Sequence, residues 1–106
     1  MEKISVVVPC YNEEDVLELF NVEMEKLRKE LKNVTLEVIY INDGSADNTL
    51  NILRELAKKD KNNKYISFSK NFGKESGIYA GLKNATGDYV VVIDADLQHN
   101  PRTIID

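Results

Sequence analysis

Four apolar runs alternate with three helical patterns along this chain, and that alternation limits its fold more than any other feature. The runs are Ile4 to Val8, Leu36 to Ile41, Tyr65 to Phe68 and Tyr89 to Ile93. The last is continuous and rich in β-branched residues, as expected of a strand buried on both faces in the middle of a parallel sheet. Pro9 should end the first run, since proline cannot continue a central strand. Asn12 then offers an N-cap ahead of Glu13, Glu14 and Asp15, with the acids where a helix N-terminus favours them. Leu17, Phe20, Met24, Leu27 and Leu31 follow at spacings of three and four, the period of an amphipathic helix that Asn33 closes. A second helix should begin near Ser45 to Asp47 and turn Leu50, Leu53, Leu56 and Ala57 inward. Lys58 to Lys64 is expected to be a solvated turn. A third helix should run from about Lys74 to Asn84, with Gly87 as its stop. The order β-α-β-α-β-α-β predicts an α/β fold, a Rossmann-like three-layer α/β/α arrangement with a mainly parallel sheet and right-handed crossovers.

Sheets of this kind bind ligands outside the carboxyl ends of their strands, where the strand order reverses. The polar clusters Pro9 to Glu13, Asn42 to Ser45, Ser69 to Gly73 and Asp94 to Gln98 all fall at such ends. In extended backbone Asp94, Asp96 and Gln98 project to one side. Two carboxylates and an amide oxygen suit Mg²⁺ or Mn²⁺, whose octahedron is completed by water and substrate phosphates. An Asp-x-Asp alone is more often a solvated loop start or a helix cap; four clusters at strand ends shift the balance toward a site. His99 follows Gln98, points to the opposite side, and reads as a turn residue. Gly77 and Gly81, four apart in the third helix, let it approach a neighbour closely, more commonly the sheet than a ligand.

The 106 residues suffice for one domain, and a formal net charge of −4 speaks against nucleic acid as the main partner. Cys10 is the only cysteine, so no internal disulfide forms and a reducing, cytoplasmic compartment is expected. Its place beside an apolar strand suggests a buried small residue rather than a nucleophile. No apolar run approaches the ~20 residues of a membrane span, and Met1 to Ile4 has no signal-peptide pattern. Pro101 to Asp106 reads as the first turn of a helix that is cut off, which suggests a truncated chain.

Four stretches together resemble a known family. Val6-Val7-Val8-Pro9-Cys10-Tyr11-Asn12-Glu13-Glu14, Ile41-Asn42-Asp43-Gly44-Ser45-Ala46-Asp47-Asn48-Thr49, Lys70-Asn71-Phe72-Gly73-Lys74-Glu75 and Asp94-Ala95-Asp96-Leu97-Gln98-His99 look like glycosyltransferase family 2, with the GT-A fold. Within it they are most similar to the dolichol- and polyprenyl-phosphate sugar transferases. The resemblance implies that residues 1–106 form the amino-terminal, nucleotide-sugar-binding domain of an inverting, metal-dependent enzyme. It implies a UDP-sugar donor, with a GDP-sugar such as GDP-mannose as the other candidate, and a polyprenyl-phosphate or glycan acceptor. It also implies roles. Pro9, Tyr11 and Glu13 hold the nucleoside, with Tyr11 against the base and Glu13 toward the ribose, and Asp43 hydrogen-bonds the base. Lys70, Asn71 and Gly73 approach the nucleotide and sugar, as does Ala95. Asp94 and Asp96 carry the catalysis and, with Gln98, bind the diphosphate through Mg²⁺ or Mn²⁺.

Two positions depart from the family pattern. Lys70 stands where arginine is common, keeping the charge but losing the bidentate fork, and Asn100 stands where proline is common. Family members continue into an acceptor-binding half, and the lipid-linked branch often adds membrane helices. The full-length protein is therefore expected at the cytoplasmic face of the membrane, and the 106-residue chain alone should bind donor weakly and transfer nothing. Two other readings are a nucleotide-binding module without chemistry and a receiver-like signalling domain. The second lacks the fifth strand and late lysine it would need, and no Gly-x-Gly-x-x-Gly follows a strand to support a dinucleotide fold.

Overall fold

The fold is a computed structural model that describes residues 2–95. Its elements are β1 (Glu2–Cys10), α1 (Leu17–Glu30), β2 (Val34–Asn42), α2 (Thr49–Lys59), β3 (Asn63–Ser67), α3 (Lys74–Asn84) and β4 (Tyr89–Val92). The strands form one parallel sheet in the order β3-β2-β1-β4. Strand order therefore reverses between β1 and β4, since β2 and β3 build outward on one side of β1 and β4 on the other.

The pleat divides the sheet residues between two layers. Val6, Val8, Val38 and Tyr40 pack with Leu17, Phe20, Met24 and Leu27 of α1 and with Leu53 and Leu56 of α2. Val7, Ile39 and Ile41 face the other way and form a smaller cluster. This second face belongs to α3, whose contact side is glycine. A Cβ on Gly81 would stand 2.3 Å from Cγ1 of Val7, and one on Gly77 3.2 Å from Cγ2 of Ile41. Gly77 and Gly81 are thus explained by the helix lying directly on β1 and β2.

Several local expectations are corrected. β4 lies at the sheet edge of the described residues, not in the middle, and Val90 and Val92 are 41% and 42% exposed. The cause is α3, which covers β1 and β2 and leaves this face of β4 open. Asn12 does not cap α1, which begins at Leu17. It adopts a left-handed φ of 53°, donates its N–H to Ser45 Oγ at 2.9 Å and accepts the Ala46 N–H at 2.8 Å. Long-range bonds to the β2 turn have displaced the local cap. α1 ends at Glu30, short of Asn33, and α2 starts at Thr49 behind an Asp47 that accepts the Thr49 N–H at 2.9 Å. Gly87 is not a helix stop either: α3 has ended at Asn84, and Gly87 lies so close to β1 that a Cβ would fall 2.7 Å from Ser5 N.

Pro9 does not end β1, which pairs through Cys10 with Asn42. The reason is parity. Val7 accepts the Ile93 N–H at 3.0 Å, so odd residues of β1 turn their polar groups toward β4, while Cys10 accepts the Asp43 N–H at 2.9 Å on the β2 side. Pro9 therefore faces β4, where its missing donor costs the β2 ladder nothing.

The stretch expected to be a solvated turn is partly structural. Asn63 is buried and donates to Leu56 O at 2.9 Å, and Lys64 pairs with Glu37. Glu37 itself is a fully buried carboxylate in the middle of β2. It accepts from Ser5 Oγ at 2.7 Å and from Thr86 N at 3.1 Å, and Lys3 Nζ stands 3.4 Å away. Burial pushes the Glu37 carboxyl upward, but hydrogen bonds from Lys64, Ser5 and Thr86 outweigh it and hold the group at about 2.

Candidate functional site

The missing N–H of Pro9 also shapes the cleft. The next ladder bond between β1 and β4 would run from residue 9 to β4, and proline cannot make it. The two strands stop pairing at Val7 and Val92, and a cleft of about 330 Å³ opens beyond, lined by Pro9, Cys10, Tyr11, Glu13, Asp43, Lys74, Gly77 and Asp94. This is the point of strand-order reversal where ligands of such sheets bind.

Each wall has a local cause. Tyr11, half exposed, follows β1 and opens the cleft to solvent. The Glu13 backbone N–H donates to Thr49 Oγ1 at 3.0 Å, tying the loop after β1 to the start of α2. Asp43, nearly buried, accepts the Phe72 N–H at 2.8 Å on one oxygen and the Gly73 N–H at 3.0 Å on the other. Its carboxylate thereby fixes the stretch that leads into α3. Gly44, at φ 68°, lets the β2 turn pass under this stretch, since a Cβ there would sit 2.3 Å from the Lys70 carbonyl carbon. Asp94 lies two residues beyond β4 and reaches Lys74 Nζ at 2.8 Å, with side-chain exposures of 31% and 59%. Cys10 is buried and donates to Val8 O at 3.3 Å. Burial above all, with the Glu13 and Asp94 carboxylates adding to it, pushes its thiol far up and leaves it protonated.

Of the residues singled out in the sequence, Pro9, Tyr11, Glu13, Asp43 and Asp94 come together around the cleft. Gly73 and the backbone beside it join through Asp43. Lys70, Asn71 and Gly73 do not line the cleft: Lys70 Nζ lies over the Phe72 ring at 5.2 Å, and Phe72 packs edge-on against Phe68. Ala95 is buried in the core on the α1 side. Asp96 and Gln98 lie outside the described residues, as do His99 and Asn100. Lys74 and Gly77 were not among the expected site residues. Lys74 could have been found by noting that the first residue of a helix packed on β1 must sit above the strand ends.

A single strand-end carboxylate beside open cleft space fits a hard divalent cation, because Mg²⁺ commonly takes one or two carboxylates and draws its other ligands from water and phosphate. Among the described residues no three His, Cys, Asp or Glu side chains converge to hold a metal by themselves.

A parallel sheet in the order β3-β2-β1-β4 with polar groups at its switch point is a Rossmann-like α/β fold, a class that binds ligands at that point. The model of glycosyl transferase family 2 matches residues 5–105, and the chain belongs to that family. A prophage bactoprenol glucosyl transferase homolog of Escherichia coli (strain K12) is 46% identical over 96 residues, covering 91% of this chain and 31% of the relative. Among solved structures, S. aureus TarS 1-349 in complex with UDP-GlcNAc superposes with a TM-score of 0.76 at 31% identity, over 98% of this chain and 29% of that one. The mannosyltransferase PcManGT from Pyrobaculum calidifontis, in complex with GDP-Man and Mn²⁺, gives 0.75 at 27% identity, over 90% and 28%. The GT-A type of fold expected from the sequence is thus the observed one. The chain spans less than a third of the length of each of these proteins.

Proposed function

We propose that this chain, residues 1–106, carries the donor-binding site of a metal-dependent inverting glycosyltransferase that uses a nucleoside diphosphate sugar, with a UDP-sugar preferred over GDP-mannose. The observation that carries this is the cleft beyond Pro9, where Tyr11, Glu13, Asp43 and Asp94 surround the strand-order reversal. Tyr11 offers a ring face to the base, Glu13 a carboxylate to the ribose, and Asp43 holds the Lys70–Gly73 stretch beside the nucleotide. Asp94, with Asp96 and Gln98, holds Mg²⁺ or Mn²⁺. The bound cation supplies Lewis-acid stabilisation of the negative charge that grows on the leaving diphosphate.

The acceptor is a polyprenyl phosphate. Similarity to a bactoprenol glucosyl transferase homolog supports it, and so does the chemistry. An acceptor phosphate oxygen is already anionic, so it can bond to the anomeric carbon as the bond to the donor phosphate breaks, with no base to take a proton. The whole protein works at the cytoplasmic membrane face, while the 106-residue chain alone binds donor without transferring sugar.

Thermal unfolding with UDP, GDP or ADP, each with and without Mn²⁺, tests the donor site. At 100 times its dissociation constant a ligand adds about 2.7 kcal/mol, on the order of 10 °C in a domain this small. The expected result is a shift that needs UDP and Mn²⁺ together and vanishes in Asp96→Ala. No shift with any nucleotide would refute the donor site, and a shift with GDP alone would reassign the base.

A further inference from the structure

We propose that Lys74 is a built-in competitor for the divalent cation at Asp94, so that the cation binds productively only together with a diphosphate; this rests on the donor-site reading above. Three carboxylates line the cleft, those of Glu13, Asp43 and Asp94, and Lys74 is the cationic residue lining it among the described residues. Lys70 is engaged elsewhere, over the Phe72 ring. Asp43 has both oxygens on backbone amides. Asp94 instead has its Oδ1 on the Lys74 ammonium at 2.8 Å.

An ammonium and a divalent cation cannot share that oxygen, since like charges a few ångströms apart repel strongly in a half-desolvated cleft. Free cation must therefore displace Lys74 and leave its charge without a partner. A cation that arrives with a diphosphate brings anionic oxygens with it, and the displaced ammonium can pair with those. The exchange is cheap because an ion pair this exposed is weak. The side chain can swing while its backbone stays fixed, because Asp43 holds the Phe72 and Gly73 amides immediately before it. Lys74 thus couples two ligands through their differential effect on one ion pair.

The test measures Mn²⁺ affinity of the full chain by water-proton relaxation, with and without UDP, for the wild type, Lys74→Gln and Lys74→Arg. Removing the ammonium should tighten binding of Mn²⁺ alone by about threefold to tenfold and should reduce the factor by which UDP enhances Mn²⁺ binding. Lys74→Arg keeps the charge and should retain most of that coupling. A merely structural ion pair would lower the melting temperature of Lys74→Gln and leave both binding quantities unchanged, which would overturn the proposal. So would weaker Mn²⁺ binding in Lys74→Gln. If the wild type binds Mn²⁺ but UDP has no effect on it, and GDP has none either, the donor-site reading fails and this inference falls with it. If wild-type coupling is present and Lys74→Gln preserves it, only the role of Lys74 fails.

Discussion

Two carboxylates lie near opposite ends of α3, and the protein treats them differently. Glu37, by the loop that leaves the helix, has no exposed side-chain surface and is surrounded by the Ser5 hydroxyl, the Thr86 amide and hydroxyl, and the Lys3 and Lys64 ammonium groups. Asp94, by the start of the helix, is about a third exposed and meets the side chain of Lys74. A buried carboxylate must have its lone pairs satisfied or its charge costs several kcal/mol. A carboxylate that exchanges partners must not be saturated. The first arrangement stabilises a fold and the second leaves a group free to take a ligand.

Mutating each carboxylate is the strongest way to break this contrast. Glu37→Ala leaves the Ser5 hydroxyl and the Thr86 amide without their acceptor and opens a cavity. Urea unfolding should show a loss of roughly 3 kcal/mol. Asp94→Asn should stay within about 1 kcal/mol of the wild type in the same experiment, while abolishing any stabilisation by UDP with Mn²⁺. Equal losses would mean that the two sites are not different in kind.

Acid sharpens the same comparison. The Glu37 carboxyl lies at about 2 in the folded protein against an ordinary 4.5. Between those values the unfolded chain takes up a proton that the folded one does not. Stability supplied by this group is therefore complete above about pH 4.5 and is lost as pH falls toward 2. Unfolding free energy measured from pH 6 to pH 2 should drop in that window, and Glu37→Gln should flatten the drop.

The body of α3 separates the two ends, and its two glycines give smaller effects. Gly81→Ala, with its Cβ 2.3 Å from a buried valine methyl, should cost about 2 kcal/mol, and Gly77→Ala, at 3.2 Å from Ile41, distinctly less. A similarly small effect is expected for Asp43→Asn. One of its two bonds, to the Phe72 or the Gly73 amide, loses its acceptor, for about 1 kcal/mol of stability. A weaker affinity for UDP in calorimetry would accompany that loss.

The layered architecture was legible in the sequence because it depends on local periodicity. The runs Ile4 to Val8 and Leu36 to Ile41 could be little but strands, and the spacing from Leu17 to Leu27 marked a helix. Gly77 and Gly81 announced the close approach of α3, and the clusters at Asn42 and Asp94 marked strand ends. What escaped is decided by partners far along the chain. Nothing near Tyr89 says that α3 will leave the edge strand uncovered. Asn12 has the look of a cap until Ser45 and Ala46, some 33 residues away, bind it. Glu37 sits between the apolar residues Leu36 and Val38, and its satisfaction needs Lys3, Lys64 and Thr86 at once. The role of Lys74 depends on Asp94, which lies 20 residues further on, beyond the end of β4.

On the proposed reading the nucleotide enters the cleft beyond Pro9 and no other surface. Amide chemical-shift mapping of the ¹⁵N-labelled chain, titrated with UDP in the presence of Mg²⁺, tests it most directly. The predicted result is a set of perturbed amides at Tyr11, Glu13, Asp43, Gly73, Lys74, Gly77 and Asp94, with Ser5, Glu37, Lys64 and Thr86 unmoved. Perturbations centred instead on the groove between α2 and β3, at Asn51, Arg54 and Tyr65, would contradict the account.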